Sequence, residues 1–399
     1  MKRRTFLGGT IAVGTLGLTS GVRADEPPIK IGMSMPQTGG LAGGGKASLL
    51  GIEIWKDDVN AKGGLLGRKV ELVVYDDKSS ASETPAIYSK LLDVDKVDIL
   101  FAPYATVPTA PIMPLVKQRG MVLIGNFSFQ INSKIGHDLW FNVAPWGPAD
   151  SWASAFLDIG QKAGGKTVAL LTADQEFAQN LATTAREVAT KRNMAIVFDQ
   201  AYPPNTVEFS GIIRALNAAK PDVVYEFEPG GLGIAFMRQY QQAGLLKDIP
   251  MVVHPASLDQ VIVQAVGDAA AGVKVTSHWN DDFDNPVNKT FVAAWRAKFG
   301  DRPITYYAAQ GYDAALLIGT GLEKAGVDDL PAFRKALLTS EIPSVRGAFK
   351  FGPNQHPIQD WYALKAEKGA DGKMVLKTDG KVLTAHSDSY AADCKMPKD

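Results

Sequence analysis

The stretch PQTGGLAGGGKASLLG, from Pro36 to Gly51, decides how the fold begins. Read from Gly40, it has a glycine, four residues, then Gly45-Lys46, which is the spacing of a phosphate-binding loop. Such a loop needs Ser or Thr after the lysine to hold Mg²⁺, and here Ala47 stands there with Ser48 one place late. The dinucleotide pattern G-x-G-x-x-G fails as well, because Gly40, Gly43, Gly44 and Gly45 do not have that spacing. What remains is a glycine-rich turn between the apolar run Ile29–Met35, read as a strand, and the amphipathic Leu49–Asn60, read as a helix. Glycines there allow close backbone approach and leave N–H groups free at a helix start. That suits a carboxylate, with Gln37 and Thr38 on the rim and Lys46 toward solvent.

Outward from this turn, short apolar runs alternate with amphipathic stretches. Strands are expected at Lys69–Tyr75, Asp98–Ala102 and Met121–Gly125, with helices at Ser82–Leu92 and Ala110–Arg119. The series restarts after Pro148, with strands at Thr167–Thr172, Ala195–Tyr202, Val223–Phe227 and Met251–His254. Helices at Ser151–Ala163, Ala178–Arg192, Phe209–Ala218 and Leu232–Ala243 accompany them. Two βαβ series predict an α/β protein with two doubly wound lobes, whose strand C-termini face one crevice. Helices at Pro286–Phe299, Ala308–Lys324 and Leu330–Thr339, then strands at Ala348–Phe351 and Trp361–Lys365, belong to neither series alone. They predict that the chain crosses between lobes more than once, through a multi-stranded hinge.

Composition narrows the function. The 399 residues are 46% apolar, with 42 basic and 42 acidic side chains. A net charge of zero offers no field for nucleic acid, and no segment after the first 25 residues approaches the ~18–20 apolar residues of a membrane span. The start differs: Lys2-Arg3-Arg4-Thr5-Phe6-Leu7, a weakly apolar run from Gly8 to Gly21, then Val22-Arg23-Ala24. This order predicts an export signal, residues 1–24, of twin-arginine type and cleaved near Ala24, leaving a free periplasmic protein. The single cysteine, Cys394, precludes an internal disulfide, and His137, His254, His278, His356 and His386 lack metal-ligand spacing. No cofactor or metal is expected. Val73-Val74-Tyr75-Asp76-Asp77 has the form of an Mg²⁺-holding strand end, yet Asp77 before Ser79-Ser80 also reads as a strand end feeding a helix cap. No G-x-S-x-G elbow occurs. An enzyme is not expected.

Several segments coincide with one family. Ile31-Gly32-x-x-x-Pro36-x-Thr38-Gly39 is followed by Asn60-Ala61-x-Gly63-Gly64-x-x-Gly67-Arg68-x-Val70-Glu71-Leu72, then Asp76-Asp77 and Lys96-Val97-Asp98. From about Ile29 to Asp360 the chain resembles the periplasmic substrate-binding proteins of the leucine/isoleucine/valine-binding class, which serve ABC importers. The resemblance implies the type I periplasmic binding protein fold, two Rossmann-like lobes joined by a three-segment hinge. Lobe 1 would comprise 25–146 and 279–344, and lobe 2 would comprise 147–278 and 345–399. It implies a monomer that closes on a small ligand and hands it to a membrane permease. Ligand groups would come from Tyr104, Ala105 and Thr106, and from Asn126, Phe127 and Ser128. Thr106 and Ser128 have a second reading, as caps of their own helices. Lobe 2 would offer Phe177, Glu226, Gly230 and His254, while Trp146 and Trp279 mark two hinge passages. The family's usual Tyr-Gly is Phe177-Ala178 here, and its acidic ammonium partner falls near Ala256, with Glu226, Glu228 and Asp259 as stand-ins. Two ligand classes stay open: an amino acid or amide, and an aromatic or hydrophobic carboxylate. Ligand-sensing regulators share this fold and form a further alternative.

Overall fold

The computed structural model describes residues 26–127, 137–144, 150–228 and 233–387, with tail positions 391, 394 and 396. Of Glu176 and Phe177 it describes the backbone alone. The expected export signal lies outside the described residues, as do Ser128, Trp146 and Gly230.

The first sheet holds β1 (Ile29–Ser34), β2 (Val70–Tyr75), β3 (Ile99–Phe101), β4 (Leu123–Gly125) and β5 (Trp140–Asn142). They run parallel in the order β2-β1-β3-β4-β5. The second sheet repeats that order with β6 (Thr167–Ala173), β7 (Ala195–Tyr202), β8 (Val223–Phe227), β9 (Met251–Val253) and β10 (Lys274–Ser277), arranged β7-β6-β8-β9-β10. It is extended by β11 (Lys350–Phe351), β12 (Pro357–Lys368) and β13 (Met374–His386), where β12 pairs antiparallel with β10, β11 and β13. Ile29, Ile31, Ile99, Leu100 and Phe101 are wholly buried, as parallel strands covered on both faces require.

The helices are α1 (Ala42–Ala61), α2 (Thr84–Asp93), α3 (Thr106–Thr109), α4 (Met113–Arg119), α5 (Asp150–Lys162), α6 (Glu176–Lys191), α7 (Ser210–Ala219) and α8 (Ile234–Gln242). They continue with α9 (Ile262–Val266), α10 (Pro286–Phe299), α11 (Tyr306–Ala325) and α12 (Leu330–Thr339). The chain passes between the two sheets after β5, between β10 and α10, and between α12 and β11, which makes three passages. This is the type I periplasmic binding protein fold. The late helix α11 lies against α1 of the first sheet's layer.

One expectation is corrected here. The helix predicted from Leu49 starts at Ala42, so Gly43, Gly44 and Gly45 are helical rather than an open turn. The cause is close packing. A Cβ at Gly44 would sit 2.1 Å from the Tyr104 hydroxyl, and one at Gly45 would sit 2.6 Å from the Pro36 carbonyl oxygen. Further along, a Cβ at Gly51 would lie 1.9 Å from the Ala308 carbonyl oxygen, and one at Gly311 would lie 2.1 Å from that of Ser48. Helices α1 and α11 thus cross backbone to backbone, through a glycine on each. The pattern also missed β5, β10 and β13. The first two have only three and four residues, too few to show a period. β13 interleaves Lys377, Asp379 and Lys381 with its apolar residues.

Candidate functional site

The strand ends of the first sheet deliver the first group of side chains. Tyr104, Ala105 and Thr106 follow β3, and Asn126 and Phe127 follow β4. Ala105 has φ 87° and ψ 161°, a conformation populated almost only by glycine and costing on the order of 1–3 kcal/mol elsewhere. The strained bend turns the chain into α3. Thr106 does not cap that helix, since the cap position is Ala105 and no side-chain bond is made there. Its hydroxyl oxygen is buried and hydrogen-bonds no described residue. Asn126 donates through Nδ2 to Ser48 Oγ at 2.5 Å, while its Oδ1 is buried and unpartnered among the described residues. A buried polar atom without a hydrogen bond costs about 1–3 kcal/mol, and the ends of β3 and β4 each carry one such atom.

Helix α11 supplies two residues that the sequence reading missed, Tyr306 and Tyr307. Thr305 caps the helix by accepting from the Ala308 N–H, which sets both tyrosines in the first turn. Ring centroids lie 4.8 Å apart for Tyr104 and Phe127, 5.1 Å for Phe127 and Tyr307, 6.0 Å for Tyr104 and Tyr307, and 4.1 Å for Tyr306 and Tyr307. Together they form an aromatic wall. Burial raises the Tyr104 phenol well above 10, with Tyr307 adding to the effect. Burial likewise lifts Tyr307 to about 12, so the wall is neutral. The signal available in the sequence was the adjacent Tyr-Tyr pair after a capping threonine.

Gln37 and Thr38 are placed differently. Their N–H groups and the Thr38 hydroxyl bind the Asp76 carboxylate, at 2.8, 3.4 and 2.7 Å. Burial opposes ionisation of Asp76, but these bonds and the Lys78 N–H outweigh it and bring the carboxyl to about 2. The two residues fasten the β1 loop to the β2 loop. Asp77 accepts from the Ser34 hydroxyl at 2.8 Å and from the Ser79 N–H at 2.9 Å, a turn-forming role.

At the second sheet, Glu226 lies in β8 and Glu228 just beyond its end; both are wholly buried. Tyr202, closing β7, donates its hydroxyl to Glu228 Oε2 and lies 3.3 Å from Glu226 Oε1. Ser257 Oγ accepts from the Glu228 N–H at 2.9 Å. Burial, then the neighbouring Glu228, pushes Glu226 well above its usual 4.5. Burial raises Glu228 to about 7 against the Tyr202 hydrogen bond. A carboxyl raised in this way favours the folded state fully below pH 4.5 and loses that contribution as pH climbs through 7. Glu228→Gln should therefore flatten the fall in unfolding free energy between pH 5 and 8, read from urea midpoints. An unchanged pH slope would place the titrating group elsewhere.

His254, after β9, is buried with its ring centroid 4.1 Å from Trp152 and 4.7 Å from Phe227. Burial holds its imidazole well below 6.5, hence neutral. Trp279 is buried in the second passage, where Nε1 donates to Asn288 Oδ1 at 2.8 Å. That bond fits hinge packing. The backbone of Phe177 opens α6, and its side chain is outside the described set. Asp259 Oδ1 accepts from the N–H groups of Val261 and Ile262 just ahead of α9, whose cap position is Val261. A groove of about 950 Å³ lined by Glu53, Lys56, Asn60 and Lys69 runs along β2 and includes none of these residues.

Two parallel sheets of one strand order, three passages and paired strand ends match known proteins. Residues 28–373 match the family model described as periplasmic binding protein. The Leu/Ile/Val-binding protein homolog 7 of Brucella abortus (strain 2308) is 24% identical over 97% of this chain and 99% of its own. A solute-binding protein of an ABC transporter from R. palustris, solved in complex with benzoate, has a TM-score of 0.76 at 25% identity, covering 91% of this chain and 98% of its own. Another, from Rhodopseudomonas palustris BisB5 in complex with 3,4-dihydroxybenzoic acid, has a TM-score of 0.76 at 26% identity over 91% and 99%. With the family match spanning most of the sequence and the topology agreeing, the chain belongs to the periplasmic binding protein family.

Proposed function

We propose that the chain is the solute-binding component of an ABC importer, and that it captures an aromatic carboxylate. The observation that carries the ligand class is the wall of Tyr104, Phe127 and Tyr307, with the unsatisfied hydroxyl of Thr106 two residues beyond Tyr104 in the chain. Flat rings offer area to an aromatic ligand, and the hydroxyl offers a donor to its carboxylate. An α-amino acid needs an acid opposite its ammonium. Ala256 stands where the resemblance places one, and Asp259 already accepts two backbone N–H groups through Oδ1. Relatives solved with benzoate and with 3,4-dihydroxybenzoic acid support the same choice.

In this proposal the lobes comprise 25–146 with 279–344, and 147–278 with 345–399. The ligand favours the closed state because it touches both lobes. The family places the protein in the periplasm; twin-arginine export, cleavage near Ala24 and a monomeric state complete the reading. It is a binding protein rather than an enzyme, in keeping with relatives described by what they bind.

Calorimetry with benzoate and L-leucine tests the ligand class. One benzoate per chain and no heat with leucine is the expected result; leucine binding alone would refute it. Thr106→Ala should weaken benzoate about tenfold, the equivalent of about 1.4 kcal/mol, while the apo melting temperature stays put. An equal fall in apo stability would make Thr106 structural.

A further inference from the structure

The second sheet carries a buried cluster that the aromatic-carboxylate reading does not use. Tyr202 ends β7, Glu228 follows β8 and Ser257 follows β9, so three strand ends within the order β7-β6-β8-β9 meet at the C-terminal edge of the parallel part of the sheet. That edge is where doubly wound sheets hold ligands. Glu226 and Glu228 are both wholly buried, yet Oε2 of Glu226 and Oε1 of Glu228 make no hydrogen bond to any described residue. Among the described residues no cation compensates them: Glu228, Tyr202 and Ser257 act on Glu226, and Tyr202 acts on Glu228. Space above them is limited, because a Cβ at Gly233, preceding α8, would approach Glu226 Oε1 to 3.0 Å. Buried carboxyls with no counter-charge and open valences on two oxygens amount to an incomplete hydrogen-bonding set.

We propose that these two orphan oxygens, Glu226 Oε2 and Glu228 Oε1, form the second lobe's pocket for a ring hydroxyl on the ligand, with Glu228 as the specificity-determining residue. The inference rests on the aromatic-carboxylate reading and names the substituted class within it: a hydroxylated benzoate. The first lobe holds the ring and its carboxylate, and the second reads the substituent. Both oxygens are covered in the present conformation. Burial drives both acids toward their neutral form. A neutral carboxyl can donate and accept, as a phenol can, whereas an ammonium needs an ionised partner. The cluster therefore suits a phenol better than an amine. A pocket built to bond a hydroxyl also rejects the analogue lacking it, because its own polar groups are then left unpaired.

The test is calorimetry on the mature protein with benzoate, 3-hydroxybenzoate, 4-hydroxybenzoate and L-leucine, repeated for Glu228→Met and Glu228→Gln. Wild type should bind at least one hydroxybenzoate tenfold or more tighter than benzoate. Glu228→Met, of similar bulk, should reduce that preference below threefold. Glu228→Gln, which still donates and accepts, should keep most of the preference, and it serves as the folded control if the Met variant is unstable. Benzoate binding without a hydroxyl preference, or a preference that survives in Glu228→Met, overturns the inference and leaves the ligand class standing. Leucine binding with no aromatic acid bound removes the ligand class itself, and this inference with it.

Discussion

Replacing Arg346 with methionine is expected to cost about 3–5 kcal/mol of unfolding free energy, the usual result of stripping one partner from a buried ion pair. Arg346 Nε donates to Asp313 Oδ2 at 2.7 Å, with the two side chains 2% and 1% exposed. Its Nη1 donates to the Val143 carbonyl at 2.9 Å and to Gln359 Oε1 at 2.6 Å. Val143 belongs to the first passage between the sheets and Arg346 to the third. Asn285, in the second, donates from Nδ2 to the Val345 carbonyl at 2.9 Å. One guanidinium and its neighbour thus tie all three passages. Burial raises Asp313 and lowers Arg346, so neither charge is comfortable alone. Urea midpoints measure the loss. The double variant Arg346→Met with Asp313→Leu should recover part of it, because the stranded carboxylate is gone. A single-variant loss below 1 kcal/mol would show that the hinge does not depend on this pair.

The second large effect is expected at Gly51. An added methyl would lie 1.9 Å from the Ala308 carbonyl oxygen and 2.9 Å from the Tyr312 nitrogen, both backbone atoms that cannot rotate away. Helices α1 and α11 would have to separate, disturbing the packing of Ile52, Ile54 and Trp55, all at most 3% exposed. Overpacking costs about 1–3 kcal/mol where side chains can adjust. A backbone clash should reach at least the upper end, with a clear drop in melting temperature or in soluble yield. Gly43→Ala is the matched control. It lies in the same helix, and a Cβ there meets nothing within 4 Å. Gly43 is the second residue of α1, so alanine there should gain less than the ~0.5–1 kcal/mol of a mid-helix position, and this variant should melt at or slightly above wild type. Equal losses at the two positions would show that helix propensity, not the crossing, sets the outcome.

The contrast between these glycines shows where sequence reading succeeded and where it stopped. Strand alternation, the restart near Pro148 and the late helices gave the two-lobed architecture, since apolar period and turn chemistry are local properties. β7, β8, α10 and α12 have the bounds read from their residues. The glycine run was misread because its cause is remote: Tyr104 and Ala308 lie about 60 and 260 positions from the glycines they touch. The site divided in the same way. That Tyr104, Thr106, Asn126 and Phe127 follow strands was legible in the sequence. Tyr306 and Tyr307 reach the wall only through the fold, and the tie between Tyr202 and Glu228 joins residues 26 apart. Gln37 and Thr38 looked like rim donors because sequence does not show that Asp76 already holds them.

The backbone crossing of α1 and α11 also sets a timetable. The first sheet is complete at Asn142, but the helix that packs its α1 begins at Tyr306, after the whole parallel part of the second sheet. At ~5–20 residues per second, a ribosome takes roughly ten to thirty seconds to cover that interval. Throughout it, the nascent chain carries Gly51 and its apolar neighbours with nothing laid across them. The amino-terminal half is therefore born first and finished late.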